Sequence, residues 1–262
     1  MSEQESKILR REFLKKGGRI AAGAVLAAGG VSAVCGNKAY GQNSDDDLMK
    51  YDFILPRLKF SAEEGPKDYW AVYPEADTNL LRTFSSVVRC KVKLIPDGLG
   101  KNGLDSQFNA VVQFSDIETL RKYPFVLMTS QYRYTLSPAD KKNLKRYIQE
   151  GGFLMMDDCV VSDAGDFFYQ SSYKLLQEIF GKAAVKPIPN EQEVFHNVYD
   201  FGEMGLPHCH GTYHKAQGVI INNRLAVWLS STDVHCAWVG NHRLVQKGIQ
   251  MGINIIMYAL TH

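Results

Sequence analysis

Apolar positions along this chain fall into strand-length runs and helix-spaced stripes, separated by turn residues. Phe125-Val-Leu-Met128 and Phe153-Leu-Met-Met156 are unbroken apolar runs, the pattern of strands covered on both faces. Between them Ser137 caps a helix with Pro138 at its first position, and Leu144, Tyr147 and Ile148 give that helix one buried side until Gly151-Gly152 ends it. Strand, helix, strand with short turns predicts a right-handed crossover and two parallel neighbours.

The flanking segments extend this pattern. Tyr51 to Phe60 predicts a short or edge strand, because Pro56 interrupts it. Asp77-Thr78 is expected to cap a helix carrying Leu80, Leu81, Phe84, Val87 and Val88. Val92 to Ile95 is expected as a strand and Gly98 to Asn109 as a long loop. A helix is predicted over about Phe168 to Phe180, burying Tyr173, Leu176, Ile179 and Phe180. Gly218 to Ile221, Asn222-Asn223 and Leu225 to Leu229 form a hairpin pattern, since adjacent Asn residues tolerate the positive φ of a tight turn. Val245, Ile249, Ile253, Ile256 and Leu260 mark a closing helix. These elements predict a three-layer α/β sandwich over residues 51–262, with a mostly parallel sheet and an antiparallel pair near the C-terminus.

The first forty residues do not fit this pattern. Arg10-Arg11-Glu12-Phe13-Leu14-Lys15-Lys16 precedes a Gly/Ala-rich uncharged run from Ile20 to Val34. That run is shorter than the ~20 apolar residues that span a bilayer, and the whole reads as a twin-arginine export signal over residues 1–41. Val31-Ser32-Ala33 and Ala39-Tyr40-Gly41 both offer small residues for cleavage, and Asn43-Ser-Asp-Asp-Asp47 makes residues 42–50 an acidic linker. The expected destination is the periplasm, reached in folded form, with no stable transmembrane segment after cleavage. The whole chain carries +2; cutting after Gly41 removes seven basic and three acidic residues and leaves −2. With no concentrated positive stripe, nucleic acid is not an expected partner. Apolar content of 45% and charged content of 22% are values of an ordinary globular domain.

Ligands of open α/β sheets gather beyond the carboxyl ends of the strands. Asp157 and Asp158 stand at such an end. Their side chains leave the strand on opposite sides, so one is expected to face a pocket while the other caps or pairs nearby. Asp233-Val-His235-Cys-Ala-Trp238 follows the last strand and is expected to reach the same rim, making Asp157, Asp158, Asp233, His235 and Trp238 candidate ligand-binding residues. The competing expectation is that each aspartate satisfies its own backbone and Trp238 seals the core. His208-x-His210 and His210-xxx-His214 have spacings that bring two imidazoles to one ion, and they are the candidate ligands for zinc or copper. Cys209 and Cys236 are either free thiols or a disulfide closing about 27 residues, worth ~3 kcal/mol in an oxidising compartment. No G-x-G-x-x-G, P-loop or nucleophile elbow is present. Cys159 follows Asp157-Asp158, but Asp158 and Val160 flank it where an elbow has glycines, so it is not read as a nucleophile.

The Gly151-Gly152-Phe-Leu-Met-Met-Asp157-Asp158 strand, the Asp233 to Trp238 spacing and the closing Gly252-Ile-Asn254 to Tyr258-Ala-Leu-Thr261 resemble the bacterial domain of unknown function 4159 family, as do Tyr123-Pro124 and Leu136-Ser137. The resemblance implies a flavodoxin-like sheet similar to class I glutamine amidotransferases without their catalytic cysteine, and it assigns no functional residues. Members are often encoded near membrane-associated ATPase systems, which points toward an envelope assembly. The expected function is a non-catalytic ligand- or partner-binding module of the cell envelope. The alternative is a metal-assisted or carboxylate-based hydrolase of envelope glycans or peptides.

Overall fold

The computed structural model describes residues 50–95, 104–160, 165–240 and 244–262. The expected export signal, the acidic linker up to residue 49 and residues 98–103 of the expected loop lie outside them.

Seven strands form one sheet: β1 (Pro56–Leu58), β2 (Ala110–Val112), β3 (Phe125–Ser130), β4 (Phe153–Asp158), β5 (Val185–Pro187), β6 (Gln217–Ile221) and β7 (Arg224–Ser230). Their order is β2-β1-β3-β4-β7-β6-β5. The first five in that order run parallel, whereas β6 is antiparallel to both β7 and β5. The parallel part therefore has the 2-1-3-4-5 connectivity of flavodoxin-type sheets. The helices are α1 (Pro74–Val88), α2 (Ile117–Leu120), α3 (Pro138–Gln149), α4 (Phe167–Phe180), α5 (Val234–Ala237) and α6 (Val245–Thr261).

The period-2 alternation of the strands sorts the core into two layers. Phe125, Leu127, Phe153, Met155 and Trp228 pack with α1 and α6, through Leu80, Leu81, Phe84, Met251, Ile255 and Ile256. Val126, Met128, Leu154, Met156, Val227 and Leu229 pack with α3 and α4, through Leu144, Ile148, Phe168 and Leu176. Both faces are covered, so β3 and β4 carry no polar residue until they reach the carboxyl rim. The hairpin turn is as expected, with φ of 52° at Asn222 and 62° at Asn223. Gly152 follows the Gly151 that ends α3, and a Cβ there would stand 2.3 Å from the Tyr147 ring, whose hydroxyl donates to Tyr123 O and Phe153 O.

Several boundaries differ from expectation. Helix α1 begins at Pro74, whose fixed φ starts the first turn, and Asp77 lies inside the helix with its side chain buried. It caps nothing. Strand β1 is short but internal, paired with β2 and β3. Pro56 is tolerated because it is the first residue of the strand. Val92 makes only a single parallel bridge to Phe53, so Val92–Ile95 is not a full strand. Strands β2 and β5 span three residues each, too short for periodicity to reveal. Among the described residues, no helix is long and apolar enough to cross a membrane.

Candidate metal centre at the carboxyl rim

Adjacent parallel strands β4 and β7 end in register, Asp157 opposite Ser230, so their following loops share one rim. Alternation sends the two aspartates to opposite faces. Asp158 turns to the α3/α4 side, where its Oδ2 accepts from Tyr169 N at 2.7 Å. That bond caps the first turn of α4, whose own N-cap residue, Asp166, makes no capping bond. Asp166 instead pairs with His214 Nε2 at 2.5 Å. Asp157 turns to the α1/α6 side. One oxygen accepts from Ser230 Oγ and the other from His235 N at 2.7 Å. Asp157 thereby fixes the start of α5 against the sheet.

Helix α5 is one turn long and cannot hold itself in place. Tertiary contacts do so. Trp238 Nε1 donates to Gly248 O at 2.9 Å, and Asn79 Nδ2 donates to Trp238 O at 2.9 Å. Glycines on α6 make room for it: a Cβ at Gly248 would stand 2.6 Å from Ala237, and one at Gly252 would stand 2.7 Å from Trp238. Trp238 is buried, its ring edge-on to His235 at 5.2 Å, and so seals the core.

Beneath α5 lies a charged network drawn from β1, α1 and α5. Arg57 on β1 is fully buried and donates to Trp70 O, to Val72 O and to Asp77 Oδ1 at 2.6 Å. Its guanidinium also lies 4.8 Å from the Phe108 ring centroid. His235 Nε2 is 2.9 Å from Arg57 Nη2 and 3.2 Å from Asp77 Oδ1. Burial works against the Asp77 carboxylate, but Arg57 and His235 together hold its pKa below the usual range. Burial, reinforced by Arg57, lowers His235 to about 4, so the ring is neutral at neutral pH. Its Nδ1 is buried and has no hydrogen-bond partner among the described residues.

That imidazole belongs to a thiol pair. One ligand atom each from Cys159, His235 and Cys236 all lie within 4.8 Å of one another. A tetrahedral zinc with Zn–S near 2.3 Å needs sulfurs about 3.8 Å apart, so small side-chain rotations would close the group. Burial raises the Cys159 pKa, and contact with Cys159 together with burial raises that of Cys236. These protonated thiols make poor nucleophiles, and a metal that bound them would displace their protons. Nε2 either accepts from Arg57 or donates to Asp77; in the tautomer that donates to Asp77, Nδ1 would present its lone pair, the carboxylate–histidine arrangement that orients metal-bound imidazoles.

Two further carboxyls border the group. Burial and the neighbouring Asp233 push Asp157 up to about 7. Burial raises Asp233 to about 6, opposed by the Cys236 thiol, His210 and the Cys159 thiol. Of the three histidines expected as metal ligands, only His210 comes near, its Nδ1 3.8 Å from Asp233 Oδ2. His208 bonds Gly211 O, and His214 stacks on Tyr169 at 4.6 Å beside Asp166. Cys209 and Cys236 are both free. Asp157, Asp233 and His235 thus stand together at the rim the sequence pattern indicates, whereas the meeting of Cys159 with Cys236 there has no local sequence sign, the two lying on segments that follow different strands. Asp77 left a legible sign: it shares the helical spacing of buried Leu80, Leu81 and Phe84.

Fold and rim together define a three-layer α/β domain with a Cys/His/Cys group, suited to holding a metal, beyond its central strands. The family described as Domain of unknown function (DUF4159) matches residues 55–260, and the chain belongs to that family. No curated protein matches the chain.

Proposed function

We propose that this chain is an exported binding domain of the cell envelope whose rim holds zinc or copper through Cys159, His235 and Cys236. The observation that carries this reading is a ring nitrogen of His235 within 4.8 Å of two thiols, in an imidazole whose Nδ1 is buried and partnerless among the described residues. Such an atom costs about 1–3 kcal/mol unless something meets it, and a soft transition metal is what two sulfurs and an imidazole favour. The connectivity of the parallel strands supports a frame similar to class I glutamine amidotransferase-like domains. Cys159 in that frame lacks elbow glycines and has a raised pKa, which favours a ligand role over a nucleophilic one. Export in folded form is consistent with the site. The reducing cytoplasm keeps both thiols available until the metal is bound, and the domain then enters an oxidising compartment already closed.

The alternative, a hydrolase of envelope glycans or peptides, is favoured by one observation: Asp157 at about 7 and Asp233 at about 6 lie where general acids and bases work near neutral pH. One experiment addresses both readings. The chain recovered from the periplasm is expected to carry about one zinc or copper ion and to hydrolyse neither glycan nor peptide. Replacing Arg10-Arg11 by Lys-Lys is expected to strand the precursor inside the cell. A metal-free periplasmic protein would contradict the metal reading, unchanged periplasmic yield of the Lys-Lys precursor would contradict the export reading, and hydrolysis lost in Asp157→Asn would establish the alternative.

A further inference from the structure

Asp233 occupies the N-cap position of α5, where its carboxylate lies near the Cys236 N–H without forming a well-aligned capping bond. Its backbone is left-handed, φ 57° and ψ 42°, a conformation that costs a non-glycine residue about 1 kcal/mol or more. Its side chain is 8% exposed, and Oδ1 has no hydrogen-bond partner among the described residues. A buried carboxylate oxygen without a partner, on a left-handed backbone, is a cost to the fold unless a cation meets it. The same turn sets this carboxyl against the thiols of Cys159 and Cys236, outside the 4.8 Å that joins those sulfurs and His235, so that a bound ion would draw it inward.

We propose that Asp233 is the fourth protein donor of the centre, making a closed Cys159–Asp233–His235–Cys236 site that selects zinc. This rests on the metal reading given above. Two sulfurs, one imidazole nitrogen and one carboxylate oxygen suit tetrahedral zinc, whereas copper(I) favours thiolates and gains little from a hard oxygen. Three anionic donors around a divalent ion leave one net negative charge. His210, 3.8 Å from Oδ2 and half exposed, stands on the solvent side of the carboxylate as its outer partner. Four protein donors leave no open coordination position, which makes the centre structural.

The test uses the reduced full-length chain, titrated with zinc against a chromophoric chelator and separately with cobalt(II). Asp233→Asn is expected to lower zinc affinity at least about 10-fold and to weaken the visible cobalt bands of a tetrahedral site. Asp233→Gly removes the carboxyl while relieving the left-handed strain, so it keeps the test valid if the Asn variant folds poorly. His210→Gln is expected to change affinity far less. Wild-type affinity and an unchanged cobalt spectrum in Asp233→Gly would overturn the proposal while leaving the three-residue centre standing. A wild-type chain that binds neither ion would overturn both.

Discussion

Replacing Arg57 by alanine is expected to cost about 3–5 kcal/mol of folding stability, the largest effect of any single polar substitution in this domain. Arg57 and Asp77 are both buried, and the substitution would leave the carboxylate of Asp77 without its cation in the interior. Two carbonyls, of Trp70 and Val72, would lose their donor as well. The loss is a penalty of stranding a charge, not the worth of the pair. It follows that Arg57→Met combined with Asp77→Leu should cost less than the two single changes added together. Urea unfolding of the four proteins measures this. Additive losses would show that the two residues are not energetically coupled.

The second large effect is expected at Asn254. This buried side chain donates from Nδ2 to Val194 O at 3.0 Å and Tyr199 O at 2.8 Å, and accepts from Tyr199 N at 2.9 Å. It therefore fastens the loop before β6 onto α6. Asn254→Leu would leave three backbone groups, one buried and two part-buried, without partners, for a loss of about 3 kcal/mol. Amide exchange should also accelerate at Tyr199 before the sheet core responds. A stability change below about 0.5 kcal/mol would mean the loop finds other partners.

Both effects bear on how much of the molecule the sequence disclosed. The buried strands and the Asn222-Asn223 hairpin were legible because each obeys a period or a turn chemistry local to a few residues. The rim was legible too, since Asp157 stands at the end of one parallel strand and Asp233 follows the end of another. What could not be read is which side chains meet across it. Cys159 and Cys236 belong to different crossovers, and Arg57 lies on β1 while Asp77 lies on α1. Their convergence depends on strand order, which short strands such as β1 and β2 do not announce. Asn254 illustrates the same limit, because an Asn in an apolar helix shows that something polar is buried but not what it holds.

The measurement that tests the central claim most directly is anomalous diffraction at the zinc absorption edge from crystals of the zinc-loaded chain. The account predicts a peak bounded by Cys159 Sγ, Cys236 Sγ and a ring nitrogen of His235, at about 2.3 Å from each sulfur and about 2.0 Å from the nitrogen. A peak at His208 or His214 instead, or no peak beside the two thiols, would contradict it.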